Sequence, residues 1–364
     1  MSFVEHLIIG GGISGCAMAR QLAKYQRDFK LIEAQASLGG RIQSTEQGLD
    51  LGPTWYWPHQ HSVKALLSEL QLDTFDQYTQ GDYVYQQAHN TEISRGRDAQ
   101  TMLSHRVVGG MGAIINALSK TIPADNIVLN CPVTHITKQD ELWQVILSNG
   151  DTLICKHLWL AMPPRKVAQL LNEAVLSTTL ISHLQDQQTW MSAQAKFVAE
   201  YETPFWRDAG LSGQGFSQVG PMVEINDASG VDRENTNEGV HDNASPAALF
   251  GFIGVPALNR KTIDKQQIIN ACIAQLGKLF GEAALSPIST HYIDWANNEY
   301  ISTNTDINEP SQHAHFDQAR FKAELNRLNL GLIGSEFSQT EPGYIAGALD
   351  HVNDQAVKIK IQSS

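Results

Sequence analysis

Gly10, Gly12 and Gly15 fall in a glycine-x-glycine-x-x-glycine spacing, whose chemistry is the holding of a dinucleotide phosphate on backbone N–H groups. Gly10 permits a tight turn, Gly12 lets the main chain approach a pyrophosphate with no Cβ in the way, and Gly15 lets a helix pack close to a strand. Ile13 and Ser14 open that helix, so its free N–H groups and positive dipole face the phosphates. Glu33 adds a carboxylate placed to accept hydrogen bonds from a ribose hydroxyl of an unphosphorylated adenosine.

These residues need three elements to position them. Val4–Ile9 is an apolar strand, Cys16–Ala23 reads as a helix without internal Gly or Pro, and Phe29–Ile32 is a second strand ending at Glu33. An isolated glycine cluster also occurs in plain turns, but a strand before it, a helix after it and a carboxylate at the next strand tip identify a dinucleotide site.

Beyond the cradle, His61–Leu72 repeats Val63, Leu66, Leu67 and Leu70 at helical spacing, and residues 73–104 turn polar and irregular. Val107–Gly112 is a second glycine-rich turn that opens a helix through Ile114, Ile115 and Leu118. Ile127–Leu160 alternates as a β-meander with a hairpin at Asn149-Gly150, and Pro163-Pro164 ends it. A Gly, Asn, Asp and Ser-rich interval at 226–245 reads as a mobile surface loop, Leu328–Ile333 as a strand, and the segment from about Gly343 as a closing helix. The expected fold class is α/β: a Rossmann-like nucleotide-binding domain with an inserted α+β substrate domain of mixed sheet plus helices. The first comprises 1–75, 106–165 and 300–364, and the second 76–105 and 166–299.

A chain of 364 residues exceeds the size at which one hydrophobic core stops growing, in keeping with two domains. With 42% hydrophobic and 18% charged residues the composition is globular, and a net charge of −12 argues against a nucleic-acid surface. Cys16, Cys131, Cys155 and Cys272 are scattered without C-x-x-C spacing, which suits a reducing compartment and provides no metal framework. No apolar run approaches the roughly 20 residues that span a bilayer. The expectation is a cytoplasmic protein without an integral membrane segment.

Gly10–Gly15, Glu33, the Gly39-Gly40-Arg41 turn, Asp50-Leu51-Gly52, Val108-Gly109-Gly110-Met111-Gly112 and Gly343-Tyr344-Ile345-Ala346-Gly347-Ala348 together resemble the flavin-containing amine oxidases. That group includes the monoamine and polyamine oxidases and is related to protoporphyrinogen oxidase and phytoene desaturase. The resemblance runs from residue 3 to about residue 356 and is weakest across 75–105 and 226–245. It implies that the nucleotide is FAD, held at Gly10, Gly12, Ile13, Ser14, Gly15, Glu33, Ala34, Gly39, Gly40, Arg41, Gly52, Pro53, Thr54, Trp55, Val133, Gly334, Glu336, Gly343, Tyr344 and Ile345. Arg41, after two glycines, is suited to a charge-assisted contact with the diphosphate, with a surface salt bridge as the plain alternative. Val133, on an expected strand Cys131–Ile136, corresponds to the position whose backbone meets the adenine edge. Glu336 corresponds to a carboxylate near the ribityl and phosphate portion, or else caps a turn. The helix after Pro342 aims its N-terminus at the pyrimidine ring, where its dipole stabilises negative charge on reduction.

The same resemblance assigns catalytic roles. Lys196, in Ala195-Lys196-Phe197-Val198 before Pro204-Phe205-Trp206, matches the lysine that holds a water against flavin N5 and assists reoxidation by oxygen; an exposed lysine is the alternative. Tyr344 matches one of two rings around the substrate nitrogen. The other ring's position aligns with Thr305, leaving Trp295, or Tyr300 by a short shift, to complete the pair. Asn304 aligns with the cysteine that carries covalent flavin in monoamine oxidases, so noncovalent FAD is expected. Only 73–104 is available for the cap that is much longer in well-known members.

The implied activity is hydride transfer from the carbon next to an amine nitrogen to flavin N5, followed by imine hydrolysis and reoxidation by oxygen with release of hydrogen peroxide. A desaturase or dehydrogenase acting on a carbon skeleton with another acceptor is an alternative, as is a flavin-binding module without catalysis. A nicotinamide dehydrogenase also fits Gly10–Gly15 with Glu33, whereas Gly39-Gly40-Arg41 and Gly343–Ala348 point to FAD. None of the 13 histidines, His59 and His61 included, sits in a recognisable catalytic pattern.

Overall fold

Strand Ser2–Ile9 is buried from His6 to Ile9, where it lies inside the parallel part of a sheet covered on both faces. In the computed structural model, which describes residues 2–89, 92–97, 103–171, 173–231 and 246–361, it pairs in parallel with Phe29–Ile32 on one side and Thr152–Leu160 on the other. Thr152–Leu160 serves two partners along its length. Its first half pairs with antiparallel Leu142–Leu147 and its second half with parallel Leu330–Leu332. The short strand Ile127–Val128 closes the far edge beside Phe29–Ile32, and Val133–Gln139 closes the other beside Leu142–Leu147.

One face of this sheet is covered by helices Ile13–Lys24 and Ile345–Ile361, through Met18, Leu22, Leu349 and Val352 against Ile8 and Leu31. The other is covered through Val167, Leu180, Phe321 and Leu325 against Leu7, Leu158 and Leu160. The start, the middle and the end of the chain therefore meet at the carboxyl ends of the parallel strands. That is where ligands bind in open α/β sheets.

A second sheet runs in the order Ser289–Asp294, Ala195–Tyr201, Ala247–Ile253, Met222–Asp227, Leu211–Ser217, Asp82–Gln86, Ile93–Gly96. All seven residues of Ala195–Tyr201 are buried, so both faces of that strand are covered. Ala195, Phe197, Ala199 and Tyr201 pack with Ile268, Cys272, Leu276 and Phe280 of helix Lys265–Phe280. The period of two then turns Lys196 and Val198 to the opposite face. There Val198 and Phe250 pack with Leu49, Leu51 and Trp55 from the cradle side of the protein.

The structure differs from the sequence expectation in two stretches. Residues 73–104 contain paired strands: Thr74–Asp76 joins His105–Val107, and Asp82–Gln86 extends the second sheet beside Leu211–Ser217. Strand Met222–Asp227 occupies the start of the expected loop at 226–245; residues 232–245 lie outside the described residues. Among the described residues no helix is long and apolar enough to cross a membrane.

Gly15 sets the helix-to-strand distance, since a Cβ there would run into the carbonyl oxygen of Gly10 and lie 3.3 Å from Ala161 Cβ. Gly15→Ala is therefore expected to lower the unfolding free energy by about 1–3 kcal/mol, read from the urea midpoint.

Candidate active site

Between the two sheets lies a cavity of about 730 Å³. It is lined by Gly10, Gly12, Ile13, Ser14, Glu33, Ala34, Gly39, Gly40 and Val133, by Arg41, Gly52, Pro53, Thr54, Trp55, Gly334, Gly343 and Ile345, and by Lys196, Trp295 and Tyr344. Gly15 and Glu336 are the expected positions that do not line it.

Gly10 has φ +101°, a conformation that glycine adopts freely, and a Cβ there would strike the carbonyl of Ala161. Gly12 differs: a Cβ on it would meet only the Gly39 carbonyl oxygen, at 3.9 Å, and would otherwise project into open space. Helix Ile13–Lys24 starts there with no side-chain cap and no acid in its first turn, so no side chain competes for its N-terminal N–H groups. Glu33 is buried at the strand tip, where one carboxylate oxygen accepts the Gly11 N–H at 2.6 Å and the other the Gln35 N–H at 2.8 Å. Val133 begins strand Val133–Gln139, two residues later than the expected start. An uncapped helix, an open glycine and a fixed carboxylate fit a nucleotide diphosphate.

Arg41 and Glu336 are partners of each other. The guanidinium donates to both Glu336 oxygens, at 2.6 and 3.0 Å, and also to Ser335 Oγ and the Trp190 carbonyl. Glu336 is fully buried, so its carboxylate faces Arg41 rather than the cavity, and the guanidinium stands between it and the cavity wall. Burial pushes the Glu336 carboxyl up, but the Arg41 charge and hydrogen bonds outweigh it and hold the group below the usual carboxylate range.

Lys196 is buried at 2% exposure. Its Nζ donates to Thr54 Oγ1 at 2.6 Å and to the Gly52 carbonyl at 3.1 Å, and lies 4.0 Å from the Phe250 ring centre and 5.8 Å from that of Phe252. Burial lowers its pKa to about 7, against the opposing charge of Asp50 and with a smaller lowering contribution from Arg106. Across the sheet Lys196 is in register with Phe252, and Phe252 with Glu224. All three line the cavity, so a cation, a ring and a carboxylate form one row of its wall.

Tyr344 heads helix Ile345–Ile361 and has three aromatic neighbours. Trp57 meets it edge-on at 5.7 Å and 87°, Trp190 lies 6.2 Å away at 45°, and His313 stacks at 5.3 Å. Trp190 stacks on His313 at 3.7 Å, and the His313 ring nitrogen Nδ1 pairs with the Pro342 carbonyl. Thr305 is not on this wall. Thr303 caps helix Asn304–Asn308 in a reciprocal pair with Asp306, which leaves Asn304 and Thr305 exposed. Of the rings that line the cavity, Trp57 and Trp190 stand beside Tyr344, and Trp295 and Tyr300 line it as well.

Residues 87–359 match the sequence profile described as flavin containing amine oxidoreductase, and residues 8–70 match that of an NAD(P)-binding Rossmann-like domain. The chain belongs to the flavin-containing amine oxidoreductases. It is 23% identical to a putrescine oxidase of Kocuria rosea over 81% of this chain and 82% of that protein. It is 21% identical to a probable flavin-containing monoamine oxidase A of Dictyostelium discoideum over 94% of each. A solved structure of wild-type putrescine oxidase bound to putrescine has the same fold, with a TM-score of 0.80 at 20% identity and 99% of each chain covered. Membership makes this protein a flavin-dependent oxidoreductase.

Within this amine oxidoreductase, Trp57, Trp190, Phe250, Phe252 and Glu224 were not singled out from sequence. Phe250 and Phe252 alternate on an apolar strand, where a core role and a cavity role look the same, and Trp190 lies in a loop without periodicity. Gly12→Ala provides the contrast to Gly15→Ala: stability is expected to change by no more than about 0.5 kcal/mol, because the added methyl meets little protein. Visible absorbance of the purified protein should nevertheless show the flavin largely lost.

Proposed function

We propose that this chain is an FAD-dependent amine oxidase with dissociable cofactor, converting a primary amine, oxygen and water to an aldehyde, ammonia and hydrogen peroxide. The observation that carries this reading is the single cavity wall holding Lys196, Phe252 and Glu224 in register, with Tyr344, Trp57 and Trp190 as neighbouring rings that also line the cavity. Gly12, the uncapped helix at Ile13 and Glu33 would hold the adenosine diphosphate portion, with Arg41 beside it. Bound FAD supplies the two-electron acceptor that takes hydride from the carbon next to nitrogen and passes the electrons to oxygen.

The chain's own residues orient and tune. The aromatic residues exclude water and fix the direction of the reacting C–H bond. Glu224, which accepts a hydrogen bond from Asn226 at 3.0 Å, supplies negative charge for a cationic amine. Lys196 places a positive charge where reduced oxygen develops negative charge. Because that assistance needs the ammonium form and the lysine's pKa lies near 7, flavin reoxidation should slow as pH rises through about 7.

An anaerobic panel of primary amines and diamines, followed by air, tests the reading. Bleaching of the flavin band by at least one amine, then recovery with one peroxide per turnover, is expected. Failure of every amine, or bleaching without recovery in air, would favour a dehydrogenase or desaturase. Glu224→Gln should lower kcat/KM for the bleaching amine by about 10–100-fold, the loss of one charge-assisted contact of about 1.5–3 kcal/mol.

A further inference from the structure

We propose that Gln60 is a positioning residue for the substrate: its side chain, held by Glu341, fixes Trp57 against Tyr344 and so sets the slot these rings offer to an amine. This rests on the role given to the aromatic residues above.

Trp57 and Tyr344 meet edge-on at the cavity, although they come from opposite ends of the chain. Gln60 is buried and bonds both main-chain groups of Trp57. Its N–H donates to the Trp57 carbonyl at 2.9 Å, and its Oε1 accepts the Trp57 N–H at 3.2 Å. Its Nε2 donates to Glu341 Oε2 at 2.7 Å. The side-chain amide is thus committed at both ends, and the bond to the carboxylate is the stronger of the two. The other Glu341 oxygen lies 2.8 Å from His59 Nε2. Glu341 itself has φ +49°, a backbone conformation that is uncommon outside glycine and persists where its surroundings hold it. From there its carbonyl accepts the Tyr344 N–H at 3.2 Å.

Gln60 therefore joins the loop that carries one ring to the turn that carries the other. An edge-on ring pair is a weak contact by itself, whereas a buried amide that loses its partner is left unsatisfied, so the tie resists sliding of the loop. Gln60 lines the cavity beside the two rings, but Glu341 and His59 do not. Whatever Glu341 does to a substrate, it does through Gln60 and through the turn it shares with Tyr344. Transfer from a C–H bond depends on walls fixed to a fraction of an ångström, so loosening the tie acts on the rate of the chemical step more than on binding.

Fluorine NMR of the FAD-loaded protein carrying 5-fluorotryptophan tests this, the Trp57 resonance being the one of seven that is lost in Trp57→Phe. Glu341→Ala removes the acceptor from a residue outside the cavity wall. In it the Trp57 resonance should shift or broaden, and anaerobic flavin reduction at saturating amine should slow by about 10–100-fold. The amine concentration giving half the maximal rate should change by less than about 3-fold. In Gln60→Glu two carboxylates face each other and the same effects are expected. Adding Glu341→Gln to Gln60→Glu rebuilds the bond with donor and acceptor exchanged, and should bring resonance and rate back towards those of the unmodified protein. An unmoved resonance in Glu341→Ala, a moved resonance with an unchanged rate, or a folded exchange variant that restores neither overturns the proposal. Should Gln60→Glu not fold, Glu341→Ala alone decides. If no amine reduces the flavin of the unmodified protein, the functional reading fails, and the Trp57 resonance in Glu341→Ala still decides whether the tie exists.

Discussion

A pyrophosphate held by main-chain N–H groups needs a helix start that no side chain occupies, and the structure around residues 10–15 is arranged to keep one open. Gly10 turns with positive φ under the Ala161 carbonyl, Gly15 brings the helix against that turn, and Gly12 leaves the space in front of the helix empty. Glu33 is held beside it by the Gly11 and Gln35 N–H groups. Because these contacts are short and mostly backbone, small changes in strand or helix position would close the cradle. The parallel strands from the start, middle and end of the chain hold that position.

The reactive end depends on a different constraint, the two-residue alternation of the second sheet. Burying Ala195, Phe197 and Ala199 against helix Lys265–Phe280 obliges Lys196 to point the other way, into the space shared with the cradle. A lysine there loses its water, and Thr54, Gly52, two phenylalanine rings and the Asp50 charge replace part of that solvation. The nearby Arg41–Glu336 pair is organised similarly. A wholly buried carboxylate stays ionised because a bidentate guanidinium satisfies it, and that guanidinium also ties down the Trp190 carbonyl beside the aromatic wall.

The cradle was legible in the sequence because its requirements are local: three glycines, a strand before them, a helix after them and one acid at the next strand tip. Lys196 was legible through its segment. The partners of the charges were not, since Thr54 and Gly52 reach Lys196, and Glu336 reaches Arg41, only through tertiary folding. Glu336, expected near the ribityl and phosphate portion or as a turn cap, is bonded by Arg41. The resemblance aligned Thr305 with the second ring's position, and the cap formed by Thr303 and Asp306 starts a helix on which Thr305 is exposed. Trp57 and Trp190 come from loops whose direction no periodicity encodes.

We propose that the cavity between the sheets holds flavin adenine dinucleotide without a covalent bond. Acid precipitation of the purified protein, with mass spectrometry of supernatant and pellet, measures this directly. Close to one FAD per chain is expected in the supernatant, and a polypeptide of unmodified mass in the pellet. Flavin retained on the polypeptide, or a nicotinamide nucleotide released in its place, would contradict it.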